Sequence, residues 1–232
     1  MPPALFETMR LDDGEIFLEA DHLARLTSSL RYYGFPDRQE EVEWALWKAK
    51  SEHPVGLFRL RLVVPRSGSI HWHVEPLGSP WNDQGRLAPK PKAGLEGEVF
   101  SVPARVPIDE TEDRWWHKRI DRSFYEERLA EGSEEVAVRQ IPVPIGGFDV
   151  LLWNRAGRPT ELTRANLVVE RAGRLYTPPL EEGLLPGVFR GYLLAAGTLE
   201  EARISWEDLR AADRLYAINS VRGWMPLRII FL

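Results

Sequence analysis

Leu23, Leu26, Leu30 and Tyr33 recur at helical spacing behind Asp21, so the pattern predicts a helix capped by Asp21 and ended by Gly34 and Pro36. A second helix is expected from about 37 to 51, with Val42, Leu46 and Ala49 turned inward. The period then falls to two. Leu60, Leu62 and Val64 alternate with Arg59, Arg61 and Val63, and Ile70, Trp72 and Val74 alternate with His71, His73 and Glu75. With Arg66-Ser67-Gly68-Ser69 as a turn, this stretch predicts a hairpin with one apolar face.

From Pro76 to Pro107 prolines and glycines interrupt every periodic run, which predicts irregular strand and linker. Beyond it the pattern gives a short helix over about 122–131 and strands over 148–153 and 165–170, with turns at Ala156-Gly157 and Ala172-Gly173. A helix follows Pro186-Gly187 and ends near Gly197. Ser205-Trp206-Glu207-Asp208 resembles a capping box, with Asp in place of Glu or Gln, and opens another. Strands over 214–218 and 225–231 close the chain. The expectation is a mixed α/β (α+β) protein in two unlike halves: a smaller N-terminal α/β domain over 1–100, a linker over 101–109 and a C-terminal domain over 110–232.

A chain of 232 residues, 44% hydrophobic and 28% charged, can bury a substantial core. A net charge of −5 lacks the basic footprint of a nucleic-acid binder. No apolar run reaches the length of a membrane span, and Met1-Pro2-Pro3-Ala4-Leu5 does not read as a signal segment, so a cytoplasmic location is expected. Zero cysteines exclude disulfides, thiolate metal sites and a cysteine nucleophile. Lysine occurs only at Lys48, Lys50, Lys90, Lys92 and Lys118 against many arginines; with few amides this points to a thermophilic source or to a GC-rich genome. His71, His73 and Glu75 share one strand face, but without a third placed ligand they read as an exposed or interface face rather than a metal site.

Five segments carry the chemistry. They are Phe6-Glu7-Thr8-Met9-Arg10, His22-Leu23-Ala24-Arg25-Leu26-Thr27-Ser28, His117-Lys118-Arg119-Ile120-Asp121-Arg122, Thr160-Glu161-Leu162-Thr163-Arg164-Ala165-Asn166 and Leu184-Leu185-Pro186-Gly187-Val188-Phe189-Arg190. In this order they resemble the class IV (fold type IV) aminotransferase and lyase family, which uses pyridoxal 5'-phosphate. The resemblance implies a two-domain fold like that of D-amino-acid aminotransferase, with the cofactor held chiefly by the C-terminal domain. It implies Lys118 as the amine that holds the cofactor's aldehyde and moves the substrate's α-proton, and Glu161 as the carboxylate at the pyridine nitrogen. Arg25, the backbone N–H groups of Val188 and Phe189, and Ser220 with the N–H of Val221 become the phosphate ligands. Asn166 is expected to support the turn near the site. Taken alone, Lys118 reads as a surface lysine, Glu161 as an exposed acid and Arg25 as a solvated helix arginine.

On the substrate side the resemblance puts Thr8 against the reacting atoms and offers Arg10, Arg61, Arg66 and Arg222 as carboxylate binders. The short opening before Phe6 and the segment Leu30-Arg31-Tyr32-Tyr33-Gly34-Phe35 are most similar to aminodeoxychorismate lyases within the family. Asp121, in place of the family's common asparagine, adds negative charge near the cofactor, and Phe189 fills a position often small or hydroxylated. The leading expectation is a lyase acting on aminodeoxychorismate to give 4-aminobenzoate and pyruvate for folate synthesis, as a homodimer. Branched-chain or D-amino-acid aminotransferase, and a pyridoxal-phosphate-binding protein with little catalysis, are the alternatives.

Overall fold

The computed structural model describes residues 2–144 and 146–231, with Gln84 described by its backbone alone. The first half builds β1 (Ala4–Asp12), β2 (Glu15–Ile16), α1 (Glu19–Tyr32), α2 (Gln39–Glu52), β3 (Leu57–Pro65) and β4 (His71–Pro76). The strands form one antiparallel sheet in the order β2-β1-β3-β4. Its two faces have opposite jobs. Leu5, Met9 and Leu11 of β1 and Leu60, Leu62 and Val64 of β3 pack with Leu26 and Leu30 of α1 and Val42, Leu46 and Ala49 of α2. Phe6 and Thr8 of β1, beside Val63 and Arg61 of β3, point the other way, because successive side chains alternate across a strand.

The hairpin and both helices match the sequence pattern, with one correction at the start of α1. Asp21 is not the cap; the helix opens two residues earlier behind Leu18, which sits in the left-handed region at φ 56°. Asp21 instead joins Glu19 in the first turn, where acidic charge suits the positive end of the helix dipole. β1 itself escapes the periodic reading because seven of its nine positions are buried, Glu7 and Arg10 among them, so polar residues sit where alternation would have shown a core.

The second half contains β5 (Val99–Pro103), α3 (Ser123–Val138), β6 (Phe148–Trp153), β7 (Pro159–Leu162), β8 (Asn166–Arg171), β9 (Arg174–Thr177), α4 (Val188–Ala195), β10 (Leu199–Glu201), α5 (Trp206–Arg210), β11 (Arg214–Asn219) and β12 (Gly223–Ile229). The eight strands run β10-β9-β8-β11-β12-β5-β6-β7, and β7 also pairs with β8, so six of them close into a ring. β5 pairs in parallel with β12 and β6, so the expected domain boundary at 100 falls inside a strand of the larger sheet. α3 extends seven residues past its expected end at 131. Gly132 is the reason: a Cβ there would lie 2.5 Å from Val150 Cγ2, so the bare backbone lets the helix pack onto β6 and continue. The expected capping box at Ser205 and Asp208 is present in both directions.

Three ties hold the halves together. Phe6 N–H donates to the Lys118 carbonyl at 3.1 Å, and Ile120 N–H donates to Ala4 O at 3.1 Å. The buried Arg10 guanidinium donates from one nitrogen to Trp81 O at 3.0 Å and Val221 O at 3.2 Å. Arg25 of α1 donates to Pro186 O at 3.0 Å, just before α4. No helix among the described residues is long and apolar enough to cross a membrane.

Candidate active site

The polar face of the first sheet, the turn after β7, the start of α4 and the loop after β11 enclose a cavity of about 210 Å³. Lys118 reaches it from a segment zipped to β1 by the two backbone bonds above and by an isolated bridge between Leu5 and Arg119. His117 anchors the same segment on its other side, with Nδ1 2.9 Å from Ser29 Oγ and its ring stacked on Tyr32. The result is a lysine whose Nζ sits 4.5 Å from the centre of the Phe6 ring. Desolvation, with Arg25 and Arg122 nearby, outweighs Glu7 and Glu161 and lowers its pKa to about 7. The two tryptophans that precede His117 do not supply this burial: Trp115 is buried in a separate core and Trp116 is 40% exposed.

Glu161 lies on β7, opposite Asn166 across a tight turn. Its Oε2 accepts from Leu185 N–H at 3.1 Å and stands 3.3 Å from Asn166 Nδ2, while Tyr125 Oη lies 3.5 Å from Oε1. Burial pushes its pKa up to about 8, against the opposing pull of the Leu185 hydrogen bond, Arg122 and Lys118. The turn owes its shape to buried Asp149, which accepts from Thr163 N–H at 3.0 Å and Thr163 Oγ1 at 2.6 Å. Asn166 also donates to Leu185 O at 3.0 Å, in keeping with its expected supporting role. That approach requires Gly187, where a Cβ would lie 1.9 Å from Asn166 Oδ1.

At the other end Gly187 caps α4, whose first N–H groups, those of Val188 and Phe189, have no acceptor within the helix. Val188 lines the cavity; the Phe189 side chain turns away into a core with Trp224 and Ile218, so the phenyl ring leaves its N–H unobstructed by a polar side chain. Arg25 grips Glu7 with two nitrogens, Nε to Oε1 at 2.9 Å and Nη2 to Oε2 at 2.6 Å, and still borders the cavity beside Val188. Burial raises the Glu7 pKa, but Arg25 and the His22 hydrogen bond at 2.8 Å more than reverse this and hold it at about 2. Glu7 and His22 thus aim Arg25. Ser220 lines the same end, whereas the N–H of Val221 is already directed to Asn219 Oδ1 at 3.1 Å.

The substrate-side expectations divide. Thr8, Arg61 and Arg222 border the cavity, joined by Arg59 and Arg164, which the sequence did not single out. Arg10 is fully buried as a tie between the halves, and Arg66 is spent on Tyr33 O and Gly34 O. Neither reaches the cavity. Asp121 is exposed and accepts from Ser123 N–H and Oγ at the start of α3, so its charge is used there rather than against the cavity wall. His71 and His73 stand on the exposed face of β4. Tyr125 and Asp149 carried no recognisable signal, while Glu7, His22 and Arg122 lay within quoted segments without a stated role.

The chain as a whole matches a known family. The model of amino-transferase class IV matches residues 4–88 and 143–230, with Lys118 lying between the two matched stretches. A crystal structure from Mesorhizobium loti named "Putative amino-acid aminotransferase" is 30% identical, with a TM-score of 0.80 over 98% of this chain and 99% of that one. A Schizosaccharomyces pombe protein named "Putative aminodeoxychorismate lyase" is 27% identical over 224 residues, 94% of this chain and 86% of its own length. The fold is also that of the branched-chain amino acid aminotransferase of Escherichia coli, at a TM-score of 0.74 and 18% identity over 98% of this chain and 77% of that one. The chain belongs to the class IV aminotransferase family, whose members depend on pyridoxal phosphate.

Proposed function

We propose that the chain is a pyridoxal-phosphate-dependent 4-amino-4-deoxychorismate lyase that releases 4-aminobenzoate and pyruvate. The observation that carries this reading is the charge of the cavity wall. Six arginines and Lys118 line it against a single carboxylate, Glu161, among the described residues. Arg25 is matched by Glu7 and Arg59 by Glu75, but Arg61, Arg164 and Arg222 have no carboxylate within ion-pair distance among the described residues. Unmatched guanidiniums crowded together are costly unless the ligand brings anionic charge. A substrate with two carboxylates does so. A branched apolar side chain does not.

The residues present fit the cofactor. A free helix N-terminus beside Arg25 and Ser220 suits a phosphate, and Lys118 near pH 7 has an available neutral amine. When bound, pyridoxal phosphate supplies a sink for the electron pair left at the substrate carbon. Glu161, as a carboxylate accepting from the pyridine nitrogen, would hold the proton there. Lys118 would take the proton from the amine-bearing carbon. As the bond from the ring carbon to the enolpyruvyl oxygen breaks, the ring becomes aromatic, and Lys118 or Thr8 would return a proton so that the leaving group departs as pyruvate.

Arg25→Ala is expected to weaken cofactor affinity about tenfold to a hundredfold, the worth of a charge-assisted contact to phosphate. Equilibrium titration of the apoenzyme measures it, and unchanged affinity would remove Arg25 from the phosphate site.

An aminotransferase remains the second reading, favoured by the Mesorhizobium loti likeness, and an acidic amino acid would also satisfy the arginines. The two diverge in stoichiometry. A transaminase needs a 2-oxo acid to regain its starting form; a lyase needs none. Purified protein with pyridoxal phosphate and aminodeoxychorismate is expected to form 4-aminobenzoate and pyruvate over many turnovers without an added oxo acid. Amino-group exchange with no aromatic product would overturn the lyase reading.

A further inference from the structure

Arg222 is placed with unusual care for a residue in a loop. Its N–H donates to Asn219 Oδ1 at 2.8 Å, and the next residue, Gly223, adopts φ 67° with its backbone so close to Arg86 O that a Cβ would lie 2.2 Å away. The preceding carbonyl, Val221 O, is held by buried Arg10. Both flanks of Arg222 are therefore pinned. The same Arg10 nitrogen holds Trp81 O, and the Trp81 ring has the Arg222 guanidinium 4.7 Å from its centre and the Arg86 guanidinium at 5.1 Å. Arg86 is itself fixed by Pro80 O at 3.0 Å and Trp224 O at 2.8 Å.

A guanidinium lying over an aromatic ring uses its face, which leaves the N–H edge available for a planar, two-oxygen acceptor. Arg222 has no carboxylate at ion-pair distance among the described residues, and it borders the cavity with Arg59 and Arg164. Arg61 occupies a different part of the wall, over the same Phe6 ring that Lys118 covers. Arg61 thus shares the Phe6 ring with the Lys118 amine, whereas Arg222 stands over Trp81 instead, which assigns the more distant group to Arg222.

We propose that Arg222 determines specificity by binding the substrate carboxylate farther from the amine, and that Trp81 is the residue that positions it. This rests on the reading of the cavity as a pyridoxal-phosphate site for a dicarboxylate, and it names which cation does the selecting.

The test uses the cofactor-loaded enzyme and two non-reacting probes, isophthalate with two carboxylates and benzoate with one, measured by calorimetry. Wild type is expected to prefer isophthalate. Arg222→Gln should lose about tenfold to a hundredfold in isophthalate affinity while binding benzoate as before, so the preference collapses. Trp81→Leu should reduce the preference and Trp81→Phe should restore most of it, since a phenyl ring still offers a face. Equal loss of both probes in Arg222→Gln would mean a structural role, and no loss of either would mean no role; each overturns the proposal. An intact preference in Trp81→Leu would overturn the part assigned to Trp81. If the wild-type protein makes no 4-aminobenzoate yet loses its dicarboxylate preference in Arg222→Gln, the lyase reading falls and this inference stands.

Discussion

Lys118→Ala is expected to abolish turnover, with loss of about 10²–10⁴-fold for the proton transfer alone and more from losing the covalent hold on the cofactor. Borohydride treatment of the wild-type protein with pyridoxal phosphate should fix the cofactor to the peptide containing Lys118, and the variant should carry no such tag. A tag on Lys48, Lys50, Lys90 or Lys92 would contradict the assignment. The pH dependence has a definite sign. Only the neutral amine adds to an aldehyde, and a pKa lowered to about 7 makes that form abundant at lower pH than for an ordinary lysine. The rate of cofactor capture by apoenzyme should therefore rise as pH passes through about 7 and level off above it. A rate still climbing steadily to pH 10 would mean that Lys118 is not desolvated as its surroundings imply.

Glu161→Gln should keep most cofactor affinity, because the phosphate end is untouched, yet lower kcat about a hundredfold or more, the scale for losing one preorganised electrostatic partner. An amide cannot share a proton with the pyridine nitrogen as a carboxyl can. The substitution is nearly isosteric, so Asn166 and Leu185 N–H should still find an oxygen at that position. The measurement is single-turnover rate beside equilibrium cofactor titration. A variant that lost cofactor binding and rate together would indicate that Glu161 mainly shapes the turn.

The sequence made the framework legible where burial is one-sided. The β3–β4 hairpin and α2 show clean periods because each has one face on a core and one away from it. β1 hides because its second face is buried against the other half of the protein, where Arg10 serves as a tie and Thr8 faces the cavity. Lys118, Glu161 and Arg25 stand out in the sequence only through resemblance, since nothing in their neighbours' periodicity distinguishes them from surface charge. Supporting roles stayed invisible, even for residues such as Arg10 that the sequence offered for another purpose. Glu7 aims Arg25, Asp149 holds the turn beside Glu161, and Arg10 holds Val221 and Trp81, all across separations that sequence spacing cannot report.

The backbone bonds from Phe6 to Lys118 and from Ile120 to Ala4 join residues more than a hundred positions apart. Such contacts form only after a long stretch of chain has been ordered, since loop closure must precede them. The Lys118 amine thus has no fixed address until the first sheet has docked against the second. A chain that stalls with its halves apart keeps a lysine with ordinary, charged chemistry, so with Lys118 in the proposed role the cofactor should be captured efficiently only by molecules that have finished assembling.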